Sequence, residues 1–199
     1  MFENLRRDSV KYADHGGWYS CPGFWIGAVY RYGVWADSLP RPLRLPMWVL
    51  YRIAHLPYWL FNVHLWAGQR GSRIGPGLFL IHPNNIYVGP GTEIGEDCTL
   101  YHEVTLGKGH IEGTPSIGRN TTLYTGARIL GGLHIGDDAI VGANCVVLRD
   151  VPAGAIVMPP ACRILPRSLS PVARELDSQF SPDATGAMPS QPPNQVGTG

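Results

Sequence analysis

The sequence is short of charge, and the little it has is balanced. Charged residues make up 16% of the 199 residues, and the formal net charge is +1 at pH 7. Nucleic-acid-binding domains usually carry a clear excess of lysine and arginine on one face. We therefore expect no nucleic-acid partner.

Cysteine is also scarce, and its spacing excludes the common zinc motifs. The chain has four cysteines, none in a CxxC pair, and the N-terminal stretch MFENLRRDSVKYADHGG lacks the apolar centre of a secretory signal. Cys98 and Cys145 each fall at the fifth position of a six-residue repeat, where a small inward residue is expected. Both are predicted to fill the core, because buried cysteine behaves as a small hydrophobe. These features predict a cytoplasmic protein.

Residues 1–70 are rich in aromatic side chains and lack the later repeat. They include one long apolar run, PMWVLYRIAHLPYWLFNVHLW, from Pro46 to Trp66. A transmembrane helix is disfavoured because Arg52, His55 and Pro57 fall near the middle of the run. The composition favours a helical cap packed on the rest of the protein. Peripheral contact of residues 46–66 with the inner membrane surface is the open alternative, since tryptophan, tyrosine and nearby arginines suit a helix at that surface.

From about residue 71 to 165 an aliphatic residue recurs at every sixth position, often followed by glycine. Hexads open at Ile74, Leu80, Val88, Ile94, Leu100 and Leu106, and after a gap at Ile117, Leu123, Ile129, Ile135, Val141, Val147 and Ala153. This period does not match the 3.6-residue period of a helix. It predicts a mainly β protein, a parallel β-helix in which three hexads make one triangular coil. Residues 166–199, rich in proline, glycine, serine and glutamine, are predicted to be mostly disordered.

Counting three hexads to a coil predicts which histidines meet. His82 and His102 are each third in their hexads and should stack, with Thr125 above them. Two extra residues separate Leu80 from Val88, and such a bulge commonly re-aims a side chain, which favours a functional role for His82. The segment from Lys108 to Ser116 leaves the coil, carries His110 and is predicted to reach a neighbouring subunit.

The repeat region resembles the serine acetyltransferases of the hexapeptide-repeat acyltransferase superfamily. The resemblance rests on IGPGLFLIH, LYHEVTLG, the long run IGRNTTLYTGARILGGLHIGDDAIVGANCVVLRDVPAG and PPACRI. It implies a left-handed β-helix, a homotrimer with active sites between subunits, acetyl-CoA as co-substrate and no metal. It also implies that His82 is the general base. The implied coenzyme-binding residues are Gly126, Ala127, Gly142, Ala143 and Arg163.

The chain departs from the family pattern at positions that bear on the acceptor. Ala67 stands where the family has the aspartate that orients the histidine, and Ile81 stands where many members have a second acidic residue. The Arg-His-Pro phrase that ends the family's loop is here Gly-Thr-Pro at residues 113–115. His102 and Glu103 are therefore candidate catalytic residues beside His82, and the candidate substrate-binding residues are His110 and Thr114.

The sequence thus predicts an acetyl-CoA-dependent O-acetyltransferase acting on a small-molecule acceptor, with L-serine as the expected acceptor. A sugar or polysaccharide hydroxyl is the alternative within this chemistry, and N-acetylation of an amino sugar is a further variant. Two alternatives lie outside it. One is a zinc carbonic anhydrase on the same solenoid, with His82, His102 and His110 as ligands. The other is a catalytically inert trimeric scaffold.

Overall fold

The computed structural model of the chain describes residues 1–60, 62–67 and 71–160. Arg163 and Cys162, and the predicted tail at 166–199, lie outside the described residues. The described part contains a helical N-terminal segment followed by a parallel β-helix, which confirms the predicted mainly β architecture with a helical cap.

Three α-helices precede the strands. They are α1 (Phe2–Lys11), α2 (Pro22–Asp37) and α3 (Arg41–Leu60), and a short 3-10 helix (Ala13–His15) joins α1 to α2. Pro22 is the first residue of α2, a position that needs no N–H donor. α2 lies against both of its neighbours, because α1 and α3 each pack on it and its own buried face meets the first coil of the β-helix.

Within the described residues, fourteen short strands follow. They are β1 (His64–Leu65), β2 (Arg73–Ile74), β3 (Phe79–Leu80), β4 (Tyr87–Val88), β5 (Glu93–Ile94), β6 (Thr99–Leu100), β7 (Thr105–Gly107), β8 (Ser116–Ile117), β9 (Thr122–Leu123), β10 (Arg128–Leu130), β11 (His134–Ile135), β12 (Ile140–Val141), β13 (Val146–Val147) and β14 (Ile156–Val157). The first strand, β1, precedes residue 71, so the coils begin upstream of the predicted start of the repeat.

The strands form three parallel sheets, one for each side of a triangular prism. The first sheet has the order β1-β4-β7-β10-β13, the second β2-β5-β8-β11 and the third β3-β6-β9-β12-β14. For most of its length the chain visits the sheets in turn, so each strand pairs with the strand three positions later. The predicted coil of three hexads is therefore confirmed.

The last coil departs from the predicted register. The prediction that a hexad opens at Ala153 is wrong, because the residue that opens a hexad points inward and Ala153 is exposed. Val151 instead bridges to Ile135, and Val157 pairs with Val141. Val151 follows Val147 after only four residues, so the chain turns early at this corner, immediately before Pro152.

The hexad pattern reflects the inside of the prism. The aliphatic residues that open the hexads point inward, and Leu100, Leu123 and Ile129 have no exposed surface. The glycine that follows many of them lies against the next coil. A Cβ atom on Gly75 or Gly95 would lie 2.7 Å from the backbone of that coil. Cys98 is buried as predicted, and burial raises the pKa of its thiol to about 11.

A buried ion pair closes the first coil. Asp8 of α1 and Arg31 of α2 are 2% and 4% exposed, and Arg31 Nε lies 3.0 Å from Asp8 Oδ2. Asp8 Oδ1 accepts hydrogen bonds from the N–H groups of Gly77 and Leu78 at 2.8 and 3.0 Å. Arg31 also donates to the carbonyl oxygen of Ile74. The pair thus satisfies backbone groups that have no preceding coil to bond to.

Two tyrosines extend this closure. The Tyr12 hydroxyl accepts a hydrogen bond from the N–H of Leu80 at 3.0 Å, and the Tyr30 hydroxyl donates to the Ser72 carbonyl at 2.7 Å. Burial raises the pKa of both phenols. None of the helices among the described residues combines the length and apolar character that a bilayer crossing demands.

Candidate active site

The break in the repeat at His82 lies at the corner between the third and first sheets. Six residues, 81–86, separate β3 from β4, whereas four residues, 101–104, make the equivalent connection one coil later. His82 and Asn85 both have positive φ, at 49° and 51°. Left-handed backbone is uncommon for residues other than glycine. The two extra residues thus form a sharp excursion in which the His82 side chain is exposed.

His82, His102 and Thr125 share this corner. Leu80 pairs with Leu100, and Leu100 pairs with Leu123. Each of the three polar residues follows its paired leucine by two positions, so all three lie at this corner in successive coils. The stacking of the His82 and His102 side chains stays a prediction. Adjacent parallel strands lie about 4.8 Å apart, which sets the scale of this column.

The backbone of His102 is hydrogen-bonded to the described residues, whereas one of its ring nitrogens is not. Its carbonyl oxygen accepts the N–H of Gly126 at 3.1 Å, but its buried Nδ1 atom makes no hydrogen bond to any residue that the structure describes. Nearly all buried polar atoms in proteins have a partner. The Nδ1 of His102 is therefore a buried polar atom that lacks a partner among the described residues.

Glu103 joins the two coils at this corner through its backbone. Its N–H donates to the carbonyl oxygen of Asn84 at 2.9 Å, and its φ is 62°. The carboxylate is exposed and makes no hydrogen bond to a described histidine. Glu103 therefore fixes the excursion that carries His82, whereas its side chain points away from the core.

Behind the excursion lies a network of hydrogen bonds that the sequence did not predict. Asn62 Nδ2 donates to Asn85 Oδ1 at 2.8 Å, and His64 Nε2 lies 3.0 Å from Asn62 Oδ1. Asn62 also has positive φ, at 55°. The signal for this network is weak in the sequence, because asparagines that tolerate left-handed backbone occur in most turns. Ala67, at the position of the family's aspartate, packs against the apolar core instead.

A second unpredicted feature is a stack of two tyrosines beside the column. The rings of Tyr101 and Tyr124 lie 4.8 Å apart with an interplanar angle of 21°. They directly precede His102 and Thr125, and 38% of Tyr124 is exposed. The repeated pair Leu-Tyr in LYHEVT and LYTGAR is the sequence signal for this stack, since equal positions in successive coils align.

The loop that carries His110 and Thr114 lies at a different corner. Residues 108–115 connect β7 of the first sheet to β8 of the second, whereas His82 lies between the third and first sheets. The Thr114 hydroxyl donates to the carbonyl oxygen of Gly91 at 2.8 Å, and His110 is exposed. One chain therefore does not bring His110 or Thr114 to His82.

The predicted coenzyme-binding residues differ in how much of their surface a ligand could contact. Gly126 has φ 70° and is buried, and a Cβ atom there would lie 2.3 Å from Asn144 Oδ1. The methyl group of Ala127 faces the core and has no exposed surface. The Gly142 N–H donates to the Val157 carbonyl at 2.8 Å, and Ala143 is exposed. The outer surface at Gly142 and Ala143 is thus the part that a ligand can reach.

The histidines of the zinc alternative do not converge within a chain. Across residues 1–60, 62–67 and 71–160, no three side chains of histidine, cysteine, aspartate or glutamate are grouped so as to hold a metal ion. His82 and His102 share a corner, and His110 lies at another.

Comparison with known sequences shows where the repeat is shared. Residues 114–149 match the family model described as bacterial transferase hexapeptide (six repeats). The serine acetyltransferase of Helicobacter pylori is 46% identical over 88 residues, which are 43% of this chain and 52% of that protein. The serine acetyltransferase of Synechococcus elongatus is 33% identical over 150 residues, 74% of this chain and 58% of that protein.

Solved structures show the same fold. The serine acetyltransferase of Brucella abortus in complex with coenzyme A has a TM-score of 0.62 at 26% identity, over 80% of this chain and 66% of that chain. The serine acetyltransferase of Neisseria gonorrhoeae in complex with serine has a TM-score of 0.61 at 23% identity, over 82% of this chain and 68% of that chain. The chain spans about half the length of the first curated relatives that it matches, 52% for the Helicobacter protein.

Proposed function

We propose that this relative of the serine acetyltransferases, built on the hexapeptide-repeat fold, transfers an acetyl group from acetyl-CoA to a hydroxyl group. The resemblance predicted from the repeat motifs is confirmed by curated relatives, by the family model and by solved structures. The observation that carries the proposal is the exposed His82. It has a positive φ and lies in the six-residue connection that interrupts an otherwise regular coil.

In the proposed reaction His82 is the general base. The acceptor oxygen attacks the thioester carbonyl carbon while the neutral imidazole removes the hydroxyl proton. The carbon–sulfur bond then breaks, and the imidazolium returns the proton to the departing CoA thiolate. Histidine suits both steps, because its ordinary pKa lies close to physiological pH.

Neighbouring groups would hold the reactants against His82. We place the acceptor next to His102, because its buried Nδ1 lacks a partner among the described residues and shares a corner with His82. We place coenzyme A along the later coils, where Gly142 has no side chain and exposed Ala143 has only a methyl group. Arg163 remains the predicted contact for a CoA phosphate.

A homotrimer would complete this site. The loop residues His110 and Thr114 lie one corner away from His82 in the same chain, so they can serve His82 only from an adjacent subunit. We therefore propose that the acceptor binds between two subunits, with His82 from one and the loop from the next.

L-serine is the acceptor that the relatives favour, and a sugar hydroxyl is the second candidate. Two observations favour the sugar. Ala67 stands in place of the family's aspartate and has no carboxylate, and the loop ends in residues 113–115 with Gly-Thr-Pro instead of a basic phrase. A site without these charges is less suited to the ammonium and carboxylate groups of an amino acid.

The same protein is proposed to work in the cytoplasm. We also propose that residues 46–66 contact a membrane peripherally, because α3 leaves large apolar side chains exposed.

Purified full-length protein should release free thiol from acetyl-CoA only when an acceptor is present. L-serine and a panel of monosaccharides, each measured over a concentration series, would identify the acceptor. Release with serine supports the family chemistry, and release with a sugar alone supports the second candidate. Trimers that bind coenzyme A but release no thiol with any acceptor would contradict the proposed transfer, and so would failure to bind coenzyme A.

A further inference from the structure

The outer face of α3 is apolar and has no described residue packed on it. Leu45, Val49, Ile53 and Leu56 are 71%, 53%, 63% and 61% exposed. Their spacings of four, four and three residues place them on one face of the helix. Trp59, 62% exposed, continues this apolar stripe at the end of the helix. Surface leucines are common singly, but a contiguous stripe of this kind marks an interaction surface.

The opposite face of α3 packs on the protein, which explains why the apolar stripe faces outward. Tyr51 is 5% exposed and faces α2, and its ring packs on Trp48 with centroids 5.0 Å apart. The helix is therefore already anchored to the protein through one face. Its other face is held outward by that anchoring.

The charge along α3 is of one sign. The helix contains Arg41, Arg44 and Arg52 and no acidic residue. Arg44 lies 4.0 Å from Asp37, whereas Arg41 and Arg52 form no ion pair with any carboxylate in the described part of the chain. Arg52 falls between Val49 and Leu56 within the apolar stripe, and its guanidinium lies 6.0 Å from the Trp48 ring.

Beside the stripe a cavity of about 490 Å³ opens between α3 and β1. Arg52, His55 and His64 contribute its polar lining, and Trp59 and Trp66 contribute its apolar lining. Among the residues that the structure describes, no acidic side chain lines it. The surface therefore combines apolar side chains, aromatic rings and cationic groups, which is the combination that binds the interfacial region of an anionic bilayer.

We infer that α3 is a docking surface for a bilayer of anionic phospholipid. The apolar stripe enters the boundary between headgroups and acyl chains, while Arg41 and Arg52 meet the lipid phosphates. This inference rests on the proposed peripheral contact of residues 46–66, which it narrows to one helix face and one class of lipid. It is independent of the proposed acetyl transfer. A second copy of the chain is the competing occupant, and the absence of acidic residues along α3 favours lipid over a like-charged neighbouring α3.

Vesicle flotation of the full chain tests the inference. One set of vesicles is neutral phosphatidylcholine, and the other contains phosphatidylglycerol as well. We expect binding to the anionic vesicles that weakens as salt is raised, because exposed charges are screened by salt. Ile53→Glu should lower that binding on the order of tenfold, since it places a charge in the apolar stripe. Arg52→Gln should lower it about fivefold.

Val10→Glu is the matched control. Val10 lies on α1, is 65% exposed and is remote in sequence from α3, so this variant should bind as the wild type does. Size-exclusion chromatography and thermal unfolding of each variant would show whether it is folded and of unchanged assembly. Thiol release from acetyl-CoA, measured without vesicles, reports separately on the proposed transfer.

Each of the remaining outcomes of the vesicle experiment would contradict a different part of the inference. Equal binding to neutral and anionic vesicles would refute the lipid class but leave peripheral contact standing. No binding to either would refute the docking surface altogether, whatever the transfer assay gives. A smaller assembly for Ile53→Glu, with vesicle binding unchanged, would show that the face joins copies of the chain.

Discussion

Asp8 offers a sharp test of how the β-helix is closed. Its carboxylate accepts two backbone N–H groups of the first coil and pairs with buried Arg31. Asp8→Asn keeps an oxygen in place for the two N–H groups but removes the negative charge. Asp8→Ala removes both. Comparing the two variants separates the effect of the charge from that of the backbone hydrogen bonds.

The expected losses follow from burial. Breaking a buried ion pair by removing one partner costs about 3–5 kcal/mol, because the other charge stays buried without compensation. Each backbone N–H left without an acceptor adds about 1–3 kcal/mol. We therefore expect Asp8→Asn to lower the free energy of unfolding by about 3 kcal/mol and Asp8→Ala by more. For a chain of this size a loss of about 3 kcal/mol lowers Tm by roughly 6–12 °C.

Urea and thermal unfolding of the purified variants measure these changes. Glu3→Ala is the control, because the Glu3–Arg6 pair at 2.7 Å is exposed on the same helix. Exposed pairs contribute little, so this variant should unfold as the wild type does. Asp8→Ala within about 0.5 kcal/mol of the wild type would refute the closing role of the pair, since surface substitutions give changes of that size.

Three further predictions concern the core and the site. Leu123→Ala should cost about 2–5 kcal/mol in urea unfolding because it leaves a cavity inside the prism, and an equal loss for exposed Ile156→Ala would contradict this reasoning. Burial raises the pKa of the Cys98 thiol to about 11, so at pH 7 it should resist alkylation while partly exposed Cys21 reacts. Raising the pH towards 11 should speed labelling of folded Cys98, whereas a rate that levels off once an exposed thiol is ionised, above its ordinary pKa of about 8.5, would show that labelling occurs only on opening. His102→Asn should raise KM for the acceptor about tenfold with a smaller change in kcat, and an unchanged KM would remove His102 from the acceptor site.

The β-helix itself could be predicted from the sequence, for a physical reason. A prism of three sheets requires an inward-facing aliphatic residue at every sixth position, with the backbone of the next coil close beside it. The positions of residues such as Leu100 and Leu123 in the repeat therefore indicate the fold. The same count places His82 and His102 at one corner of the prism. It failed at Ala153, where the coil turns early and spacing alone does not report a shortened corner.

The closure of the first coil could not be predicted from the sequence. Asp8 and Leu78 are distant along the chain, and neither lies in a periodic pattern that would link them. The same applies to the Asn62–Asn85 bond behind His82, because single polar contacts between separate elements leave no repeating signal. The outward stripe on α3 was visible only as an apolar run, since composition does not tell which face of a helix packs inward.

The proposed transfer depends on His82 removing the proton from an acceptor hydroxyl. The most direct test measures kcat for thiol release from acetyl-CoA in the wild type and in His82→Gln, together with coenzyme A affinity by calorimetry. His134→Gln is the control, because His134 is an exposed histidine of the second sheet. We expect a loss of about 10²–10⁴-fold in kcat for His82→Gln alone, with coenzyme A affinity unchanged. A His82→Gln enzyme that turns over at the wild-type rate would contradict it.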